Sequence, residues 1–117
     1  MNKKLMICDD DIAILEMVEI IMEDTSFVVS TEVDSRKLVK RLHEENIELL
    51  LLDLWMPVLS GEDILKTIRT DPALNKLKVM VMSAGRDAQT VAMDAGANNF
   101  IAKPFDIEDL IEQLEHL

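Results

Sequence analysis

At 117 residues, with 49% hydrophobic and 30% charged side chains, the chain is sized for one domain around one core. Its net charge of −11 opposes a phosphate backbone and argues against direct nucleic-acid binding. No apolar stretch approaches the ~20 residues of a membrane span. The basic start, Met1-Asn2-Lys3-Lys4, meets Asp9-Asp10-Asp11 too soon for a signal peptide, and the lone Cys8 permits no internal disulfide. Both features point to the cytoplasm, with Cys8 an inert core residue.

The first apolar run, Lys4–Cys8, reads as a strand. Ile12, Leu15, Val18, Ile21 and Met22 then share one face of a helix, which Asp11 should cap. A second strand is expected over Phe27–Thr31, and a second helix carries Leu38, Val39 and Leu42 behind a Ser35 cap. Arg36, Lys37, Lys40 and Arg41 read as that helix's solvated face. The third strand is Glu48–Asp53; Ser60, with Asp63 three residues on, marks the start of a helix that Asp71-Pro72 ends. Lys78–Ser83 is the fourth strand, followed by a helix from about Asp87 to a left-handed stop at Gly96. Asn99–Ala102 is the fifth, and Ile107, Leu110, Ile111, Leu114 and Leu117 line one side of the last helix. Five βα repeats with near-continuous apolar strands predict an α/β domain over residues 1–117. Its parallel sheet is doubly wound, with helices on both faces.

Ligands bind beyond the carboxyl ends of such strands. Asp9 and Asp10 follow strand one, Asp53 closes strand three, Ser83 ends strand four and Lys103 follows strand five. Unpaired carboxylates at about 4 Å repel by roughly 4 kcal/mol per pair at an effective dielectric of 20. The three acids must therefore protonate, spread or hold a cation, of which Mg²⁺ is the natural choice. An added hydroxyl and ammonium suit a phosphoryl group.

The ordered set Asp9-Asp10, Asp53-Leu54-Trp55-Met56-Pro57 through Gly61, Ser83-Ala84-Gly85 and Lys103-Pro104-Phe105 resembles the receiver domain of two-component response regulators. The resemblance covers essentially the whole chain and implies a flavodoxin-like strand order of 2-1-3-4-5. It implies Asp53 as phosphoacceptor for a histidine kinase or phosphotransfer protein. Mg²⁺ would be held by Asp10 and Asp53 directly, by Asp9 through water and by the Trp55 carbonyl. Ser83 and Lys103 would bind the phosphoryl group, Lys103-Pro104 would be cis, and Phe100 stands at the aromatic switch position. Helix four, strand five and helix five would meet a downstream protein partner. That stretch is acidic, with seven acids and one Lys or Arg between Asp87 and Leu117.

The family tunes dephosphorylation two residues after the acceptor and two after the switch hydroxyl, here Trp55 and Gly85. Neither side chain can orient an attacking water as a carboxylate or amide could, so slow loss of the phosphoryl group is expected. A haloacid-dehalogenase-type phosphatase is disfavoured because Trp55 stands where that chemistry needs an acid. A flavin carrier is disfavoured by three acids where a phosphate loop should be. The reading is thus a switch with Mg²⁺ as cofactor, not a turnover enzyme, and the chain's end near its fifth helix suits either a stand-alone regulator or an N-terminal receiver.

Overall fold

The computed structural model describes residues 2–117. Five strands, β1 (Lys3–Cys8), β2 (Phe27–Glu32), β3 (Leu49–Asp53), β4 (Lys78–Ser83) and β5 (Asn99–Ala102), pair in parallel in the order β2-β1-β3-β4-β5. Five helices alternate with them: α1 (Ile12–Ile21), α2 (Ser35–Glu44), α3 (Gly61–Thr70), α4 (Ala88–Asp94) and α5 (Ile107–Glu115). This is the flavodoxin-like order expected from the motifs.

Alternation along each strand divides the core in two. Met6, Cys8, Leu50, Leu52, Val79 and Val81 face one side, under Leu38, Leu42, Ile64, Ile68, Ala88 and Ala92 of α2, α3 and α4. Leu5, Ile7, Leu49, Leu51, Met80 and Met82 face the other, under Leu15 and Val18 of α1 and Leu110 and Leu114 of α5. The central strands are covered on both faces, which is why β3 reads as an unbroken run of leucines.

Helix termini follow local chemistry, with instructive departures. Asp11 caps α1 by accepting from the Ala13 N–H, and Ser60 caps α3 by accepting from Asp63. Gly96 takes φ +108° just past α4, as a helix stop requires. Asp87 precedes α4 in a left-handed conformation with no side-chain cap bond, so the helix proper begins at Ala88.

Three expectations are corrected. Asp34, not Ser35, caps α2; Ser35 is the buried first helical residue and turns its hydroxyl elsewhere. Ile12, the first residue of α1, is 58% exposed, and the buried face of that helix is carried by Leu15 and Val18. Arg41 is not part of a solvated basic face. Its guanidinium reaches Thr31 O at 2.6 Å, Glu32 at 3.2 Å and Glu45 at 2.6 Å, tying α2 to the end of β2.

Candidate functional site

Parallel register brings the chemistry to one rim. Cys8 lies opposite Leu52, so Asp9 and Asp53 emerge side by side beyond neighbouring strands. Asp53 pairs with Met82 of β4, and Ser83 pairs with Ala102 of β5, placing Ser83 and Lys103 on the other flank. The Lys103 N–H donates to Ser83 O at 2.9 Å, continuing the ladder past the last paired residues. The Lys103-Pro104 peptide is cis.

Carboxylate oxygens of Asp9, Asp10 and Asp53 lie within 4.8 Å of one another. Lys103 crosses between them, its Nζ 2.8 Å from Asp9 Oδ2 and 3.2 Å from Asp53 Oδ1. Asp9 is buried, and its other oxygen accepts from the Asp11 N–H at 2.9 Å. Both Asp9 oxygens are thus committed, whereas Asp10 is exposed beside them. Burial, reinforced by the Asp9 charge, raises the Asp53 carboxyl to about 6 despite Lys103. Burial works against the Lys103 ammonium too, but its bonds to Asp9 and the charge of Asp53 leave it above its ordinary value. Asp53 is therefore ionised at neutral pH, poised next to a fixed cation.

This donor set fits a hard divalent cation. Three carboxylates converge, two of them buried, and oxygen is the only ligand type they offer. Cys8, just beneath, contributes nothing. Burial and the charges of Glu32, Asp9 and Asp53 push its thiol up to about 12, so it stays a protonated core residue.

Ser83 is buried, and its hydroxyl donates to Ala84 O at 3.2 Å. Phe100 is half-buried on β5 and packs against the core layer beneath α2, α3 and α4. Trp55 is 51% exposed. Gly85 takes φ +121° with open space about its Cα, so its backbone, and not crowding, explains glycine there.

Two contributions escaped the motif reading, the packing role of Gly61 and the loop contact of Ser35. Gly61 packs its Cα against β3: a Cβ there would lie 2.4 Å from Asp53 O and 2.8 Å from Leu54 Cα. Its N–H donates to Leu54 O at 2.8 Å, closing the β3–α3 loop at its base. Ser35 holds the tip of the same loop through Pro57 and Leu59. Ser35 sits far from the acids in sequence, and no local pattern betrays its contact.

With this geometry in place, the comparisons with known proteins agree. Residues 5–115 match the response regulator receiver domain, and the chain belongs to that family. The chemotaxis protein CheY of Pseudomonas aeruginosa is 31% identical over 117 residues, spanning 97% of this chain and 94% of that protein. The DNA-binding response regulator MtrA of Mycobacterium tuberculosis is 26% identical, and the chain spans only 50% of its length. It likewise spans about half of the response regulator ArlR of Staphylococcus saprophyticus and of the transcriptional regulatory protein CpxR homolog of Haemophilus influenzae. The solved receiver domain of NtrX from Brucella abortus is 26% identical with a TM-score of 0.86, covering 96% of this chain and 95% of that one. The chemotaxis response regulator CheY4 of Vibrio cholerae, 23% identical with a TM-score of 0.91 over 99% and 98% of the two chains, shares the fold. Receiver domains are signalling switches of two-component systems that work with histidine kinases or phosphotransfer proteins and bind Mg²⁺ at an acidic pocket. Among the described residues, no helix is long and apolar enough to cross a membrane.

Proposed function

We propose that this chain is a phosphorylation-activated switch of a cytoplasmic two-component system. It takes a phosphoryl group onto Asp53 from the phosphohistidine of a histidine kinase or phosphotransfer protein. The observation that carries this reading is the Lys103 bridge between Asp9 and Asp53, beside the uncommitted Asp10.

An ionised Asp53 oxygen attacks the phosphorus in line with the donor nitrogen. The new P–O bond forms as the N–P bond breaks, and the electron pair returns to the donor imidazole. Bound Mg²⁺ supplies charge neutralisation for the phosphoryl oxygens. Asp10 and Asp53 would hold it directly, Asp9 through water, and the Trp55 carbonyl from the loop. Asp9 suits the indirect role, since its oxygens already accept from Asp11 and Lys103.

Lys103 pairs with a phosphoryl oxygen once the charge on Asp53 has moved outward. Ser83 must exchange its bond to Ala84 O for one to the phosphoryl group. That exchange moves the β4–α4 loop and lets Phe100 repack inward, altering the acidic surface of α4, β5 and α5 for a downstream protein partner. Two states of one domain are thereby biased by a charge of roughly −1.5 to −2.

Intact-mass analysis after incubation with Mg²⁺ and a small acyl phosphate tests this reading. The wild-type chain is expected to gain one phosphoryl group and Asp53→Asn none. An unmodified wild type, or a labelled Asp53→Asn, overturns it.

A further inference from the structure

The β3–α3 loop, residues 54–60, contains a strained turn that the phosphoryl-transfer chemistry does not by itself explain. Val58 has φ +71° and is 76% exposed. The Leu59 N–H donates to Pro57 O at 2.9 Å, an i to i+2 bond that makes Val58 the centre of a γ-turn. The positive-φ form of that turn is rare and strained, and a β-branched residue is poorly suited to it. Glycine, asparagine or aspartate would adopt it at lower cost. Burial of the Val58 side chain offers no compensation, since it stands in solvent.

The compensation comes from Ser35. This 5% exposed serine opens α2, and its hydroxyl is the hinge of a two-sided clasp. Oγ donates to Pro57 O at 3.2 Å and accepts from the Leu59 N–H at 3.4 Å, grasping the turn on both sides of Val58. Among the described residues, the only other side-chain hydrogen bond between Trp55–Leu59 and another element is Cys8 Sγ to Met56 Sδ at 3.8 Å, where Met56 packs against the core.

We infer that Ser35 is a positioning residue for the metal site, holding the strained Val58 turn and, through it, the Trp55 carbonyl. The connection is short and stiff. At the loop's base, Leu54 O is fixed by Gly61 N–H, and at its tip Pro57 O is fixed by Ser35. Only Trp55 and Met56 lie between those two anchors. Pro57 restricts its own φ and disfavours helical geometry at Met56, so displacement of the tip is passed back rather than absorbed. Groups that orient metal ligands commonly change affinity as strongly as the ligands themselves.

This inference rests on the Mg²⁺ role assigned above, and four proteins separate the two: wild type, Ser35→Ala, Val58→Asn and the double variant. In metal-free protein, amide exchange at Leu59 is expected to quicken in Ser35→Ala while α3 amides keep their protection. In Mg²⁺ titrations followed by Trp55 fluorescence, Ser35→Ala should bind about tenfold more weakly. Val58→Asn, which accepts the left-handed turn, should bind like wild type and restore affinity in the double variant. A wild-type protein without any Mg²⁺ response overturns the metal reading itself. A normal wild-type titration with an unchanged Ser35→Ala overturns the clasp, as does weakened binding that Val58→Asn fails to restore. Should Ser35→Ala fail to fold, the double variant decides: folding with near-wild-type affinity supports the clasp, and folding with weak affinity refutes it.

Discussion

Asp53 illustrates how strongly one residue's surroundings bias its chemistry. Its folded-state carboxyl is raised to about 6 from an ordinary value of 3.8, chiefly by burial. The folded chain therefore holds that proton more tightly than the unfolded chain does. The resulting stability is full below about pH 3.8 and is lost as pH rises through about 6, on the order of 3 kcal/mol. Denaturant unfolding in chelator should show metal-free Asp53→Asn gaining on wild type across that window. A constant difference between the two would show that Asp53 is not the group responsible. Trp55 and Gly85 set a second residue-scale expectation, slow dephosphorylation, because neither side chain presents an oxygen that could accept a hydrogen bond from an attacking water. Trp55→Asn should speed decay of the phosphorylated protein severalfold, followed by mass in excess Mg²⁺; an unchanged rate refutes the role of that position. Gly85 is the poorer place to test, since its φ of +121° would strain any replacement and confound rate with backbone distortion.

At the scale of elements, the site depends on close approaches between loops and strand ends. Gly61 lets α3 begin directly against the carbonyl of Asp53, and the atoms a Cβ would meet are backbone, which cannot swing aside. Gly61→Ala should cost about 1–3 kcal/mol in urea unfolding and shift the phosphoacceptor's backbone. Stability within about 0.5 kcal/mol of wild type would mean the loop yields more easily than its contacts imply. Arg69 performs a comparable task at the opposite edge. Its guanidinium donates to Gly96 O at 2.8 Å, Leu77 O at 2.7 Å and Asn98 Oδ1 at 2.9 Å, joining the end of α3 to the loops before β4 and β5. A lysine has the charge but not the fork that serves three acceptors at once.

Across the whole molecule, the proposed switch requires the site at one rim to communicate with the face built from α4, β5 and α5. Ser83 and Lys103 share a backbone bond, and Phe100 lies three residues before Lys103, on the short strand that Lys103 follows. A change at Ser83 thus enters β5 directly. Phosphorylation should move amide resonances throughout residues 83–105, with Phe100 among those most affected. Changes restricted to the neighbourhood of Asp53 would remove the switch from this proposal. The surface concerned carries seven acids against Lys103 alone between Asp87 and Leu117, so a partner that meets it should be basic and bind less tightly as salt rises.

The parallel sheet, its two-sided core and the rim that carries Asp9, Asp10, Asp53, Ser83 and Lys103 were legible in the order of residues. Those features follow from apolar runs of strand length and from acids placed where the runs end, both of which are local signals. Asp11 and Ser60 were legible as caps for the same reason. Tertiary structure alone decided what depends on neighbours distant in the chain. Adjacent Asp34 and Ser35 are both good caps by type, and only the approach of Pro57 and Leu59 gives Ser35 its other task. Arg41 looked solvated until β2 supplied Glu32 and Thr31 O. Val58 gave no sign of a positive φ, since nothing in Pro57-Val58-Leu59 marks such a turn; strain of that kind persists only when surrounding contacts impose it.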